Sequence, residues 1–226
     1  RLAAELGSDD SVRVIVFTGS GEKAFSAGAD IKDFEEHRNS TANARRYAEA
    51  FEGALDAIGD IPKPTISRIH GFCVGGGCEF STATDIRIAA DNSRFGVPVA
   101  RLSLLAGYVE MRRLINLVGA GPASYLLLSA RLIDAEEALR IGLVTQVVPL
   151  ADLQNYTDQL AGEMAALAPL TQKCTKQLMQ IILQNPGLKD LTPEEADLPY
   201  AIFDSEDFRE GRSAFVERRT PEFRGK

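Results

Sequence analysis

The sequence predicts an α/β fold with largely parallel strands, and three features carry that prediction. β-Branched runs of strand length alternate with segments whose apolar residues fall at helical spacing. Glycine clusters join strands to the segments that follow them. Beyond Leu150 the alternation gives way to helical patterns alone.

In chain order, Arg1-Leu-Ala-Ala-Glu-Leu6 reads as the tail of a helix, with the expectation of a segment before it. Val12-Arg-Val-Ile-Val-Phe-Thr18 is a nearly continuous β-branched run, as in a strand buried on both faces. Gly19-Ser20-Gly21 ends it in a turn. Helical spacing without an internal proline predicts a helix over 41–58, stopped by Gly59 and Pro62. A strand over 65–69 follows, then the run Gly75-Gly76-Gly77, a short helix from Cys78 and a strand over 85–90. From about Val109 the pattern turns helical. Asp134 with Glu137 predicts a capping box, Gly142 closes that helix, and a short strand over 144–148 comes next. Thr192-Pro193-Glu194-Glu195 supplies N-cap, first-turn proline and box partner together, and Ser205 caps the last helix.

These patterns divide the chain into an α/β core over 1–150 and a helical region over 151–226. The final helices carry more apolar residues than one small layer hides, Ala201, Ile202, Phe203 and Phe208 among them, so a subunit interface is expected there. At 226 residues, 45% hydrophobic and 25% charged, the chain can bury a core and is not disordered. The net charge of -7 argues against a nucleic-acid or anionic-membrane surface. No apolar run approaches the roughly 20 residues that span a bilayer, and no secretory signal pattern opens the chain. Cys73, Cys78 and Cys174 are an odd set without a disulfide framework, so a reducing intracellular compartment is expected, the cytoplasm first and the mitochondrial matrix as the alternative.

Two segments carry chemistry. In Phe25-Ser-Ala-Gly-Ala-Asp-Ile-Lys32, small residues between a strand and a helix let the backbone approach a ligand and aim amides at it; a tight packed turn explains them equally. In Gly71-Phe-Cys-Val-Gly-Gly-Gly-Cys-Glu79, glycines between a strand and a helix expose amides at the positive helix end, suited to an oxyanion. No Lys-Ser/Thr follows, and the spacing misses the dinucleotide fingerprint. Glu79, in the first turn, is either a general acid/base or a stabiliser of the helix N-terminus. His70, Cys73 and Cys78 match no common zinc spacing, and a Ser-His-Asp hydrolase would have to use His70, since His37 falls in a polar helix-like stretch.

Taken in order, these two segments resemble the signatures of the crotonase family, the enoyl-CoA hydratases and isomerases. The likeness continues through Asp85-Ile-Arg-Ile-Ala-Ala90, Phe95-Gly-Val-Pro98, the segment from Ala135 to Val144 and that from Glu206 to Arg218. The resemblance implies a crotonase-like spiral of ββα units with a C-terminal trimerisation region, commonly stacked as a dimer of trimers. It places the backbone amides of Ala29 and Gly76 at the oxyanion hole, with Glu79 as the residue that handles water. It implies that Ala27, Ala29, Asp30, Ile31, Lys32, Gly76 and Gly107 line the site for CoA. Phe215 and Arg218, the latter in place of a more usual lysine, match positions that reach the CoA of a neighbouring subunit. No metal or redox cofactor is implied; CoA arrives as part of the substrate.

One departure bears on the reaction. The family's second glutamate follows the proline of Phe-Gly-x-Pro, and here that position is Val99, which cannot transfer a proton. The next turn reads Leu105-Ala-Gly-Tyr-Val-Glu110, where Glu110 is either a relocated acid/base or a helix-start carboxylate, the latter the simpler reading. Tyr108 is a pocket donor or a core or interface residue. Hydration of a 2-enoyl-CoA is the expected reaction. A single-carboxylate isomerase, lyase or thioester hydrolase is the alternative. A non-catalytic acyl-CoA- or RNA-binding scaffold is the reading from another class, and the acidic balance without tryptophan opposes an RNA partner.

Overall fold

The computed structural model describes residues 1–33 and 38–226, so the expected setting of His37 lies outside the described residues. The strands are β1 (Ile15–Thr18), β2 (Ala24–Ser26), β3 (Thr65–Ile69), β4 (Phe72–Val74), β5 (Ile86–Ala90), β6 (Arg94–Gly96), β7 (Ile133–Asp134) and β8 (Gln146–Val148). The helices are α1 (Leu2–Ser8), α2 (Thr41–Gly59), α3 (Gly76–Ser81), α4 (Tyr108–Val118), α5 (Ala120–Ser129) and α6 (Ala135–Arg140). They continue as α7 (Leu153–Ala165), α8 (Pro169–Gln184), α9 (Pro193–Asp197) and α10 (Glu206–Glu217).

From β1 to β6, consecutive strands go to different sheets. One sheet runs β1-β3-β5-β8, the other β2-β4-β6-β7. A ββα unit therefore recurs as β1-β2-α2, β3-β4-α3 and β5-β6-α4. The pairs β3–β5, β5–β8, β2–β4 and β4–β6 are parallel, and the short β6–β7 pair is antiparallel. Side-chain bonds pin the β3–β5 register. The Asp85 carboxylate accepts from the Thr65 amide (2.7 Å) and hydroxyl (2.8 Å), while Ser67 and Thr84 share a bond of 3.0 Å.

The chain forms two compact units: residues 16–60 with 65–158, and residues 1–15 with 61–64 and 159–226. The first holds both sheets and a core built on Ile69, Cys73, Cys78, Phe95, Leu126 and Leu143. Its one buried arginine among the described residues acts as a clamp. Arg87 donates to the carbonyls of Leu143 (2.9 Å), Thr84 (2.6 Å) and Ser81 (3.3 Å), tying the end of α3 to the loop before β8. The second unit is helical, and leaves Met179, Leu183, Phe203, Phe215 and Val216 exposed. No described helix is long and apolar enough to cross a membrane.

Several expected elements change on inspection. The first strand covers only Ile15–Thr18, and only Ile15 of it is buried, because β1 is an edge strand with one neighbour. Helix α3 starts at Gly76, two residues before Cys78, and β4 and β6 are short strands that the patterns did not separate. The strand expected from 144 starts at Gln146. At Asp134 the cap is one-sided: its carboxylate accepts from the Glu137 amide, but the Glu137 side chain pairs with Arg140 rather than closing a box. The box at Thr192 and Glu195 is complete, and Ser205 accepts from the Phe208 amide at 3.0 Å.

Candidate active site

The site grows from the step between β4 and α3. Gly75 caps the helix at φ 57 and ψ -129, a conformation open to glycine alone, and donates to the Gly96 carbonyl on β6 at 2.8 Å. Gly77 is there for space: a Cβ on it would lie 2.5 Å from both the Cβ and the carbonyl oxygen of Ser26. The helix start is thereby pressed onto the end of β2. This brings the turn after β2 beside it, so that a Cβ on Gly76 would stand 3.9 Å from the amide nitrogen of Ala29. Neither amide, Ala29 or Gly76, donates to a protein acceptor among the described residues. Both residues line one cleft of about 370 Å³, with Thr18, Ser26, Tyr47, Phe51 and Phe80. Such a cleft can hold an oxygen on which negative charge develops.

One turn further along α3, Glu79 lines a second, smaller chamber with Cys78, Thr82, Val97, Glu110, Met111 and Leu114. Its free volume is about 10 Å³, close to the least that accommodates one water. Burial pushes the Glu79 carboxyl up to about 7; the nearby Glu110 adds to the rise and Arg38 opposes it. A carboxyl with that value exchanges protons near neutral pH, which a group serving only the helix terminus does not need.

Glu110 does stand in the first turn of α4, the helix-start position of the simpler reading. It is buried, lines the same chamber, and its carboxyl is raised by burial and by Glu52, while its own backbone amide and Arg38 pull the other way. Tyr108, beside it, is 94% exposed, which removes the core reading. Val99 packs its side chain against the core, and its amide and carbonyl are held by Val97 and Leu104.

The remaining expected residues fall at varied places. Ala27, Asp30, Ile31 and Lys32 are exposed on the segment after β2, where the Asp30 carboxylate accepts from the Lys32 amide at 2.9 Å. Gly107 caps α4. Phe215 is exposed on α10, and Arg218 ends that helix in the left-handed region. His70 has its Nε2 bonded to the Gly21 carbonyl at 2.7 Å, and Cys73 and Cys78 are buried in the core. The sequence reading missed Glu52, Arg87 and Arg113. Their only advance signal was charge on helix or strand faces that also carry apolar residues, a pattern shared by many surface positions.

The family model for enoyl-CoA hydratase/isomerase matches residues 3–226. The short-chain-enoyl-CoA hydratase of Clostridium acetobutylicum is 36% identical over 95% of this chain and 81% of its own length. The crotonyl-CoA hydratase of Syntrophomonas wolfei is 35% identical over 96% of this chain and 83% of its own length. The crystal structure of an enoyl-CoA hydratase/carnithine racemase from Magnetospirillum magneticum superposes with a TM-score of 0.95 at 33% identity, covering 99% of this chain and 83% of that one. The chain belongs to the enoyl-CoA hydratase/isomerase family, with the crotonase fold that its recurring ββα units express.

Proposed function

We propose that this protein adds water to a 2-enoyl-CoA thioester to give the 3-hydroxyacyl-CoA, through an enolate. The observation that carries the reading is the proximity of Ala29 and Gly76 in one cleft, their amides without a protein acceptor among the described residues, with Glu79 one helical turn away and its carboxyl near 7. The amides polarise the thioester carbonyl and hold the oxyanion; Glu79, when ionised, takes the proton of the attacking water. The names of the hydratase relatives support this choice of reaction within the family.

In the same reading, Ala27, Asp30, Ile31, Lys32 and Gly107 contribute to CoA binding. Phe215 and Arg218 act on the CoA of a neighbouring subunit in a trimer or dimer of trimers. The exposed apolar residues of α8 and α10 support an oligomer, and no metal or redox cofactor takes part. Val99 favours a second reading, in which one carboxylate runs an isomerase, lyase or thioester hydrolase reaction on the same enolate.

Incubation with 2-enoyl-, 3-enoyl- and 3-hydroxyacyl-CoAs in deuterated water, followed by mass, tests these readings. Hydration of the 2-enoyl thioester, lost by about 10²- to 10⁴-fold in Glu79→Gln, is the expected result. Turnover confined to 3-enoyl substrates would replace hydration with isomerisation. No turnover and no α-proton exchange anywhere in the panel would end the enzyme reading.

A further inference from the structure

The chamber beside α3 holds a carboxylate oxygen that the fold itself does not use. Glu110 is 7% exposed, and its Oε2 is buried without a hydrogen-bond partner among the described residues. Apart from Glu79 and Thr82, the chamber wall is apolar or sulfur-bearing. An unpaired buried oxygen costs stability, and a carboxylate serving only the helix N-terminus would keep its oxygens on amides or in water.

The local sequence makes room for this arrangement. Gly107 has no side chain where one would collide with two carboxyls: a Cβ there would lie 2.5 Å from Oε2 of Glu110 and 2.8 Å from Oε1 of Glu52. Helix α2, which carries Glu52, is held to α4 by the Arg113–Asp56 ion pair at 2.7 Å, so the two carboxyls face each other across a fixed helix contact. The groups that face Glu110 are Glu79 from α3, Glu52 and Asp56 from α2, and Arg38 from the segment before α2. Burial, Glu52 and Asp56 favour its protonated form, and Arg38 and its own amide favour the ionised one.

We propose that Glu110 is the second catalytic carboxyl group of the site, delivering to the α-carbon the proton that Val99 cannot supply. The proposal rests on the hydration reading and assigns the half of it that Glu79 leaves open. Ionised Glu79 removes a proton from water as the oxygen bonds to the β-carbon. The electron pair of the double bond moves to make the enolate, whose oxygen lies against the amides of Ala29 and Gly76. Protonated Glu110 then gives its proton to the α-carbon, and the carbonyl reforms. One water is consumed, and the proton gained by Glu79 replaces the one lost by Glu110, directly or through solvent. The shared chamber gives the two carboxyls a short route for that return.

The test uses the full chain and two readouts, hydration of a 2-enoyl-CoA and exchange of the α-protons of a saturated acyl-CoA in deuterated water. Glu110→Gln, close in shape, is expected to lose about 10²-fold or more in kcat with little change in KM. It should lose α-exchange in parallel, with Glu110→Asp recovering part of both. Saturated acyl-CoA binding, measured by calorimetry, and the melting temperature serve as checks that the variants fold. Gly107→Ala, which pushes both carboxyls aside, is expected to lower kcat.

Hydration and exchange within about threefold of the parent in Glu110→Gln would overturn the proposal and leave the hydration reading intact. A parent that exchanges α-protons but hydrates nothing, with exchange lost in Glu110→Gln, would keep Glu110 as the α-carbon acid and remove hydration. A parent that does neither overturns both.

Discussion

The two ends of the proposed site are built by opposite means. At the oxyanion end, backbone does the work: Gly75, Gly76 and Gly77 bring a helix start against β2, and the groups offered to a ligand are amides that no side chain controls. At the acid/base end, side chains do it, with Glu79 and Glu110 projecting from α3 and α4 into a chamber whose other walls are mostly apolar. The first end is fixed by sterics at Gly75, whose φ is positive, and at Gly77, where an added Cβ would meet Ser26. The second depends on electrostatics, and its geometry can be rebuilt from a different helix position. The departure from the pattern that the resemblance implies falls at Val99, while the glycine run matches it.

The largest expected effect breaks the backbone end. Gly77→Ala would place a methyl 2.5 Å from the backbone oxygen and Cβ of Ser26, so α3 must move away from β2. Misplacing an oxyanion donor costs about 10²–10³ in rate, and the overpacking costs about 1–3 kcal/mol of stability. Steady-state turnover of a 2-enoyl-CoA and a thermal melt check both. A lowered melt with unchanged turnover would detach the glycine contact from the reaction.

The next effect belongs to the carboxylate end and is a pH dependence. Folding raises Glu79 from 4.5 to about 7, so the native protein holds a proton that the unfolded chain has released. Stability from this group is present below about pH 4.5 and is lost as pH rises through about 7. The loss is on the order of 3 kcal/mol. Denaturant melts from pH 5 to 8 should show that decline, and Glu79→Gln should flatten it. Activity should run the other way, rising as Glu79 ionises. A Glu79→Gln variant with the parent's stability profile would mean that the carboxyl is not held in this environment.

The same contrast decides what could be read from the sequence. The strand over 65–69, the helix from Thr41 and the caps at Thr192 and Ser205 were legible because local patterns specify them. The glycine run was legible as a site for a related reason: three glycines between strand and helix have a steric meaning wherever they occur. The short strands β4 and β6 were not separable, since three residues carry too little alternation to register. The chamber was invisible because it is tertiary. Glu110 lies on α4, Glu52 on α2 and Glu79 on α3, and only their packing converts three ordinary helix-surface acids into groups that share a field. Arg87 illustrates this point within the core: the strand pattern around it was plain, but the carbonyls it would reach on α3 and before β8 were not.

A smaller effect tests how the carboxylate end is held. Asp56→Asn removes the charge from the pair with Arg113, which is partly solvent-exposed, so about 1 kcal/mol or less of stability should be lost. It also removes an acid that favours the protonated form of Glu110, so the fall in activity at high pH should begin earlier. The pH–rate profile of the variant checks this. Saturated acyl-CoA binding should be untouched, because the oxyanion wall draws nothing from Asp56.

The smallest effect concerns the residue that sits between the two ends in sequence. Tyr108 opens α4 two residues before Glu110, yet it is 94% exposed while Glu110 is buried, since consecutive helix positions face different ways. In this structure its hydroxyl meets solvent and lines neither the cleft nor the chamber. Tyr108→Phe should therefore leave kcat within about twofold and stability within about 0.5 kcal/mol of the parent. A fall in kcat of tenfold or more, with the fold intact, would bring Tyr108 into the reaction as a hydrogen-bond donor and make the acid/base end a three-residue device. A fall that appears only on dilution, alongside dissociation of the protein, would instead place Tyr108 in a contact between subunits.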